Sequence, residues 1–274
     1  MRTLEFPSAV RTPRPRERRR IDDLLKVVPG QAEREGNLFS SKLRPFVYCG
    51  NEYRIPKFVF VGPPGGDSYA RVGLFGGIHG DEEAGSIALA ELLRRLHEEP
   101  AIALGLELII FPVCNPTGYE DNTRWSRSGA DLNREFWLGS REPEVALIEE
   151  QLEGLRFDGI ISLHADDTSN GVYGYAGGDV LTRNLLEPAL VAAEAHLPRN
   201  RTSLIDGWNA QEGIIEDFFD GVLSAPPGQS PLPFEIILET PQLADIRAQV
   251  DAHLAALLAI FRASRTLRAH AANI

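Results

Sequence analysis

The chain has 274 residues, 43% hydrophobic and 24% charged, a globular composition with enough apolar material for a sizeable core, which excludes intrinsic disorder. Its 28 Lys+Arg against 39 Asp+Glu leave a net charge of -11; a field of that sign repels nucleic acid and anionic membrane, and an anionic substrate would need a local cluster of positive groups. Cys49 and Cys114 cannot build a disulfide framework, no stretch reaches the roughly 18–20 apolar residues of a membrane span, and the N-terminus lacks the apolar region of a secretory signal, so a cytoplasmic protein with no nucleic-acid or membrane partner is expected.

The opening segment carries Arg2, Arg11, Arg14, Arg16, Arg18, Arg19 and Arg20 among Pro7, Pro13 and Pro15, a composition that resists helix and buries little. Residues 1–45 are therefore expected to form an N-terminal extension, an exposed arm with a short helix within 18–28, ahead of a domain spanning 46–274. Segment 46–61 alternates and holds Val47, Tyr48, Tyr53, Ile55, Phe58 and Phe60, which predicts an opening hairpin. Beyond it, short apolar runs at 72–76, 106–113, 159–163 and 234–238 alternate with helical spacing at 82–96, 142–152 and 180–195. Leu243, Ile246, Val250, Leu254, Leu257 and Phe261 then step by three and four, an amphipathic terminal helix. This rhythm predicts an α/β domain with a largely parallel sheet covered by helices on both faces.

In open α/β sheets ligands gather at the carboxyl ends of strands, and the residues following each run are chemically loaded: His79-Gly-Asp-Glu82, Asn115-Pro116, His164-Ala-Asp166-Asp167 and Glu239-Thr-Pro. A catalytic zinc takes three protein ligands, commonly two histidines and a carboxylate, and leaves a fourth position for water. His79 and Glu82 supply a close pair at a strand-helix corner, and His164, ending a different strand at the same edge, supplies a remote third. Taken alone, His79 reads first as a core histidine bonded to backbone, and the metal reading comes from its combination with Glu82 and His164. His97, His196, His253 and His270 have no partner spacing and are read as surface residues. A second feature is the segment 123–136, where Asn133 and Arg134 can clamp a carboxylate through a neutral amide and a planar guanidinium fork. The competing reading pairs Asp131 and Arg134 with neighbours in a polar loop.

His79-Gly-Asp-Glu82, Asn115-Pro-Thr-Gly, Arg124 nine residues before Asn133 in Gly-Ala-Asp-Leu-Asn133-Arg134-Glu-Phe, Ser-Leu-His164 and Ile-Leu-Glu239-Thr-Pro together resemble the zinc carboxypeptidase family, the M14-type metallocarboxypeptidases, over residues from about 70 to 265. The resemblance implies a three-layer α/β/α sandwich around a mixed, largely parallel eight-stranded sheet. It also implies one zinc per chain held by His79, Glu82 and His164, with Arg124 polarising the scissile carbonyl. Asn133 and Arg134 would hold the substrate's free carboxylate, and Glu239 would serve as general base in hydrolysis of the C-terminal amide bond of short peptides.

Glu235 and Glu239 are four apart on one strand and share a face, but only Glu239 sits at the strand's carboxyl end. The sequence also departs from the family. No tyrosine occupies the loop about twenty residues before the base, where Asp217, Phe218 and Phe219 stand, and Ser126 follows Arg124 where many bacterial relatives have asparagine. Tyr173 and Tyr175 read as packing residues that could face the site, and Asp166 with Asp167 as a solvated acidic loop that could instead read a positive group. The nearest rival is an N-acyl amino acid deacylase resembling succinylglutamate desuccinylase and aspartoacylase, which share the zinc triad and an Asn-Arg pair. A more remote one is a non-catalytic ligand-binding relative. The glycines do not form G-x-G-x-x-G and no G-x-S-x-G occurs, which disfavours nucleotide binding and serine hydrolysis.

Overall fold

The computed structural model describes residues 18–29, 36–66, 68–177 and 180–271. In chain order its strands are β1 (Leu38–Lys42), β2 (Phe46–Tyr48), β3 (Asn51–Tyr53), β4 (Pro56–Val61), β5 (Ala70–Gly76), β6 (Leu106–Phe111), β7 (Gly159–Asp166), β8 (Tyr173–Gly177), β9 (Leu204–Ile205), β10 (Trp208–Asn209), β11 (Ile214–Ile215) and β12 (Phe234–Pro241). The helices are α1 (Ile21–Leu24), α2 (Glu83–Glu98), α3 (Pro116–Asp121), α4 (Pro143–Leu155), α5 (Val180–Ala193) and α6 (Ile246–Ala271).

Eight strands form one sheet in the order β1-β4-β6-β5-β7-β12-β8-β11. The central four, β6, β5, β7 and β12, are mutually parallel, while β4 and β8 run antiparallel to the neighbours that flank this group. The four apolar runs read from the sequence are these four strands, buried on both faces as a parallel sheet requires. Alternation divides their side chains between two layers. Val72, Leu74, Leu108, Ile161, Leu163, Ile236 and Leu238 pack with α2, α5 and α6 on one face. Phe75, Ile109, Phe111 and Ile160 pack with Val145, Ile148 and Leu152 of α4 and with Phe46 and Tyr53 of the β2–β3 hairpin on the other. The result is the expected α/β/α sandwich, with β5, β7 and β12 side by side and their carboxyl ends at one edge.

Three expectations shift. Residues 38–42, assigned above to the extension, form the edge strand of the sheet, with Leu38 opposite Phe60, so the sheet starts before residue 46. Most of the arginine-rich arm lies outside the described residues; within them, Arg19 is anchored rather than solvated, donating to the Gly80 carbonyl at 2.8 Å and to Asn122 Oδ1 at 2.6 Å and pairing with Glu83 at 3.0 Å. Leu243 is 84% exposed and precedes the terminal helix. Asp245 stops the helix from starting earlier, its Oδ1 accepting from the Arg247 and Ala248 backbone N–H groups at 3.0 and 3.1 Å, the pattern of an N-cap.

One buried acid stands apart from the apolar layers. Glu144, in the first turn of α4, is 2% exposed, and its carboxyl faces Thr117 Oγ1 at 3.5 Å. Burial, with Glu142 adding to it, lifts its pKa to about 7 from 4.5. A folded-state pKa above the unfolded one favours folding fully below pH 4.5, and the benefit is lost as pH rises through about 7. Glu144→Gln should therefore be more stable than the wild type at pH 8.5, by up to roughly 3 kcal/mol, with the difference gone at pH 4. Urea unfolding of both proteins at the two pH values measures it, and a variant no more stable at pH 8.5 contradicts the assignment.

Candidate metal centre

His79 lies in the turn that leaves β5, where Glu82 N–H bonds back to the His79 carbonyl at 3.3 Å just before α2 begins. His164 is the sixth residue of β7, the strand adjacent to β5. Helix α2 has to lie close against β7 for Glu82 to reach His164, and Gly85 allows it: a Cβ at that position would stand 2.7 Å from Leu163 Cβ and 2.9 Å from the Leu163 carbonyl oxygen.

The three side chains meet. Nδ1 of His79 is 2.6 Å from Glu82 Oε1, Nδ1 of His164 is 2.9 Å from Glu82 Oε2, and the two Nδ1 atoms are 3.2 Å apart. Glu82 Oε2 also accepts from the Ala165 backbone N–H at 2.9 Å, which ties α2 to the end of β7. All three residues are buried, and among the described residues theirs is the group of His, Cys, Asp and Glu placed to share a metal ion. On the far side of its ring, His79 Nε2 is 3.0 Å from Asp131 Oδ1 and donates to it, so Nδ1 faces the shared point, where a bound cation would take the place of a second proton.

Two imidazole nitrogens and a carboxylate oxygen around one point form a donor set that fits a divalent cation. Two ligands of a tetrahedral zinc, each about 2.0–2.1 Å from the ion, stand roughly 3.3 Å apart, close to the spacing of the two Nδ1 atoms. The electrostatics agree. Burial opposes a charged imidazole at His79, yet Glu82 and Asp131 outweigh it and lift its pKa to about 9. Glu82, although buried, is held well below the usual carboxylate range by His79 and His164. The point they share favours positive charge.

The remaining predicted residues line the same cavity, of about 80 Å³, with the triad: Arg124, Asn133, Arg134 and Glu239. Arg124 Nη1 is 3.3 Å from Glu82 Oε1, and its Nη2 is 3.0 Å from Asp131 Oδ2. Asp131 thus steers both the histidine and the arginine, a role beyond the polar-loop pairing read from the sequence. Asn133 accepts from the Leu223 backbone N–H at 3.0 Å, and the Arg134 guanidinium lies 4.4 Å over the Phe219 ring. Glu239 is directly opposite His164 in the β12–β7 register. Burial, followed by the nearby charges of Glu82, Asp166 and Asp206, raises its pKa well above the ordinary value. Glu235, two pleats away on the same face, instead accepts from the Ala225 backbone N–H at 2.5 Å and does not line the cavity.

Several wall residues were read differently or missed. Tyr173 and Tyr175 are buried and also line the cavity, with Tyr173 paired across the sheet to Glu239 and Tyr175 to Ile237. Phe218 and Phe219, in the segment about twenty residues before Glu239 that holds no tyrosine, line the cavity. Asp206 enters from the β9–β10 hairpin; its Asp206-Gly207 turn is a recognisable signal in the sequence, but not its destination. His253, read as a surface residue, is buried in α6: its Nε2 lies 3.3 Å from Thr240 Oγ1, a hydroxyl that also reaches Gln249 Oε1 at 3.2 Å and the His164 carbonyl at 3.4 Å. A periodic apolar stripe on α6 surrounds it, so its burial follows from the docking of that helix.

Residues 68–193 match the family described as the succinylglutamate desuccinylase/aspartoacylase catalytic domain, a span that includes the triad, Arg124, Asn133 and Arg134 and stops before Glu239. Among solved structures, a protein from Shewanella denitrificans OS217 provisionally named a metallopeptidase superposes with a TM-score of 0.65 at 25% identity, over 81% of this chain and 82% of its own. A metallo-carboxypeptidase from Burkholderia cenocepacia gives 0.64 at 19% identity, over 84% and 65%. A succinylglutamate desuccinylase from Silicibacter sp. TM1040 gives 0.57 at 16% identity, over 84% and 68%. At such identities the last two likenesses concern the fold. No curated protein matches the chain. Together the matches support the family resemblance carried by the motifs.

If Asp131 fixes the His79 tautomer, Asp131→Ala should keep the fold but weaken metal binding by about 10–100-fold. Competition with a chelator of known affinity, alongside circular dichroism, measures it; unchanged affinity contradicts the role.

Proposed function

We propose that this relative of the zinc carboxypeptidases and of their succinylglutamate desuccinylase/aspartoacylase branch is a zinc-dependent hydrolase, a metallocarboxypeptidase that cleaves the amide bond next to a free carboxylate in short peptides. The observation that supports it best is the convergence of His79, Glu82, His164, Arg124, Asn133, Arg134 and Glu239 on one cavity. Each group in that set has a separate task in such a reaction.

His79, Glu82 and His164 would hold the ion. When bound, zinc makes water more acidic and polarises a carbonyl. Arg134, whose guanidinium has no carboxylate within ion-pair distance among the described residues, and Asn133 would take the substrate's carboxylate through charge-assisted hydrogen bonds. Arg124, held in place by Asp131, would donate to the carbonyl oxygen as negative charge develops there, a contribution on the order of 3 kcal/mol for a comparable donor. Glu239 would take a proton from the attacking water and return it to the leaving amine. Its raised proton affinity suits a group that must do both.

The family match gives the deacylase reading its own support, and both reactions use the same groups. The peptide reading is favoured by the surroundings. A second cleft of about 490 Å³, lined by polar residues such as Ser169, Asn200 and Thr202, shares Asp166 and Asp206 with the catalytic cavity and offers room for further residues of a chain.

Glu239→Gln should keep its metal and lose at least about 10²–10⁴ in kcat, read by metal analysis and single-turnover kinetics; retained turnover moves the base elsewhere. In a paired assay of the zinc-loaded protein, unblocked dipeptides should be cleaved faster than N-acyl amino acids, and a chelator should abolish both activities. Faster cleavage of the N-acyl amino acids selects the deacylase, and chelator-resistant cleavage rejects the metal.

A further inference from the structure

The lining of the catalytic cavity carries side chains of both signs. It includes the Arg134 guanidinium, which donates to the Asn133 backbone carbonyl at 2.8 Å and stacks on Phe219 without a carboxylate partner among the described residues. It also includes Asp166 and Asp206, neither of which has a cationic partner within ion-pair distance among the described residues. Asp166 accepts from Tyr173 Oη at 3.0 Å and from the Thr168 backbone N–H and hydroxyl at 2.7 Å each; Asp206 accepts from Tyr175 Oη at 2.8 Å. All of these donors are neutral, so neither carboxylate is paired with a cation. The side chain of Glu239, which has no hydrogen-bond partner of its own among the described residues, lies in the same cavity, and its pKa is raised in part by these two aspartates.

The tyrosines fix the geometry. Tyr173 and Tyr175 are buried neighbours on one face of β8, with ring centroids 5.8 Å apart, and they are pinned by their pairing with β12. Their hydroxyls therefore hold the two carboxylates at set positions over the cavity. The volume of about 80 Å³ is space for on the order of six waters, enough for one amino-acid residue. A single residue held with its carboxylate at Arg134 therefore stays within a cavity whose lining includes Asp166 and Asp206.

We propose that Asp206 and Asp166 form a cation-selective subsite, so that the substrate residue bearing the free carboxylate also carries a positively charged side chain, as in amides of lysine, ornithine, arginine or a diamino acid. The position of the carboxylate in this assignment rests on the hydrolase reading above. A neutral side chain would cover the two aspartates without supplying a cation, and an acidic one would add repulsion, so the subsite selects by penalty as well as by attraction.

Asp206→Asn tests the charge with little change of shape. The amide oxygen still accepts from Tyr175, and asparagine suits the turn, where Asp206 and Gly207 both have positive φ, 50° and 80°. Calorimetry on the metal-loaded full chain should show free lysine binding at least about tenfold more tightly than norleucine, the size expected of a hydrogen bond to a charged group. That ratio should fall toward one in Asp206→Asn and in Asp166→Asn. In turnover, the kcat/KM ratio of Ala-Lys to Ala-norleucine should follow the same pattern. Equal binding of lysine and norleucine to the wild type, or a preference that survives both substitutions, overturns the subsite. Preference for Lys-Ala over Ala-Lys puts the cation on the acyl side and overturns its assignment. Absence of metal-dependent cleavage of any peptide, with lysine still preferred in binding, strikes the hydrolase reading and leaves the subsite standing.

Discussion

Everything in this molecule that concerns chemistry is built around the enforced contact of two imidazoles with one carboxylate inside protein. With 2.6, 2.9 and 3.2 Å separating the facing atoms of His79, Glu82 and His164, out of water, the arrangement is costly unless positive charge sits among them. The fold imposes the contact. Parallel neighbours β5 and β7 end at the same edge, α2 starts there, and Gly85 lets that helix lie against the backbone of β7. The Glu82 carboxylate, bound to the Ala165 N–H as well as to both rings, closes the arrangement.

From that contact the other features follow in order of distance. Asp131 orients His79 and Arg124 together, so the loop that carries Arg124, Asn133 and Arg134 is registered against the triad. Glu239 is placed by sheet register, one strand over from His164, and Thr240 beside it joins a buried network with Gln249 and His253 of α6 that also touches the His164 carbonyl. Burial and neighbouring carboxylates raise the proton affinity of Glu239, while Arg134, in the lining of the same cavity, has no carboxylate partner among the described residues. The lining of the site thus carries side chains of both signs.

Much of this was legible along the chain because its logic is local or periodic. The four central strands are continuous apolar runs, and the rule that ligands gather at carboxyl ends pointed to His79, Glu82, His164 and Glu239 at once. Position within a strand also separated Glu239 from Glu235. What could not be read depends on long-range packing. Tyr173 and Tyr175 reach the cavity only because β8 pairs antiparallel with β12, Asp206 arrives from a hairpin far along the chain, and His253 is buried by the docking of α6. The edge strand β1, Leu38-Phe-Ser-Ser-Lys42, is short and polar in sequence and half exposed in the fold, as edge strands often are, so its pattern does not separate it from the extension.

The most direct test is diffraction from crystals grown with zinc, with anomalous scattering recorded on either side of the zinc edge. The account predicts one site per chain, with Nδ1 of His79, Nδ1 of His164 and a carboxylate oxygen of Glu82 each about 2.0–2.1 Å from the ion. An ion bound elsewhere, or an ordered triad that leaves zinc in solution, would contradict it.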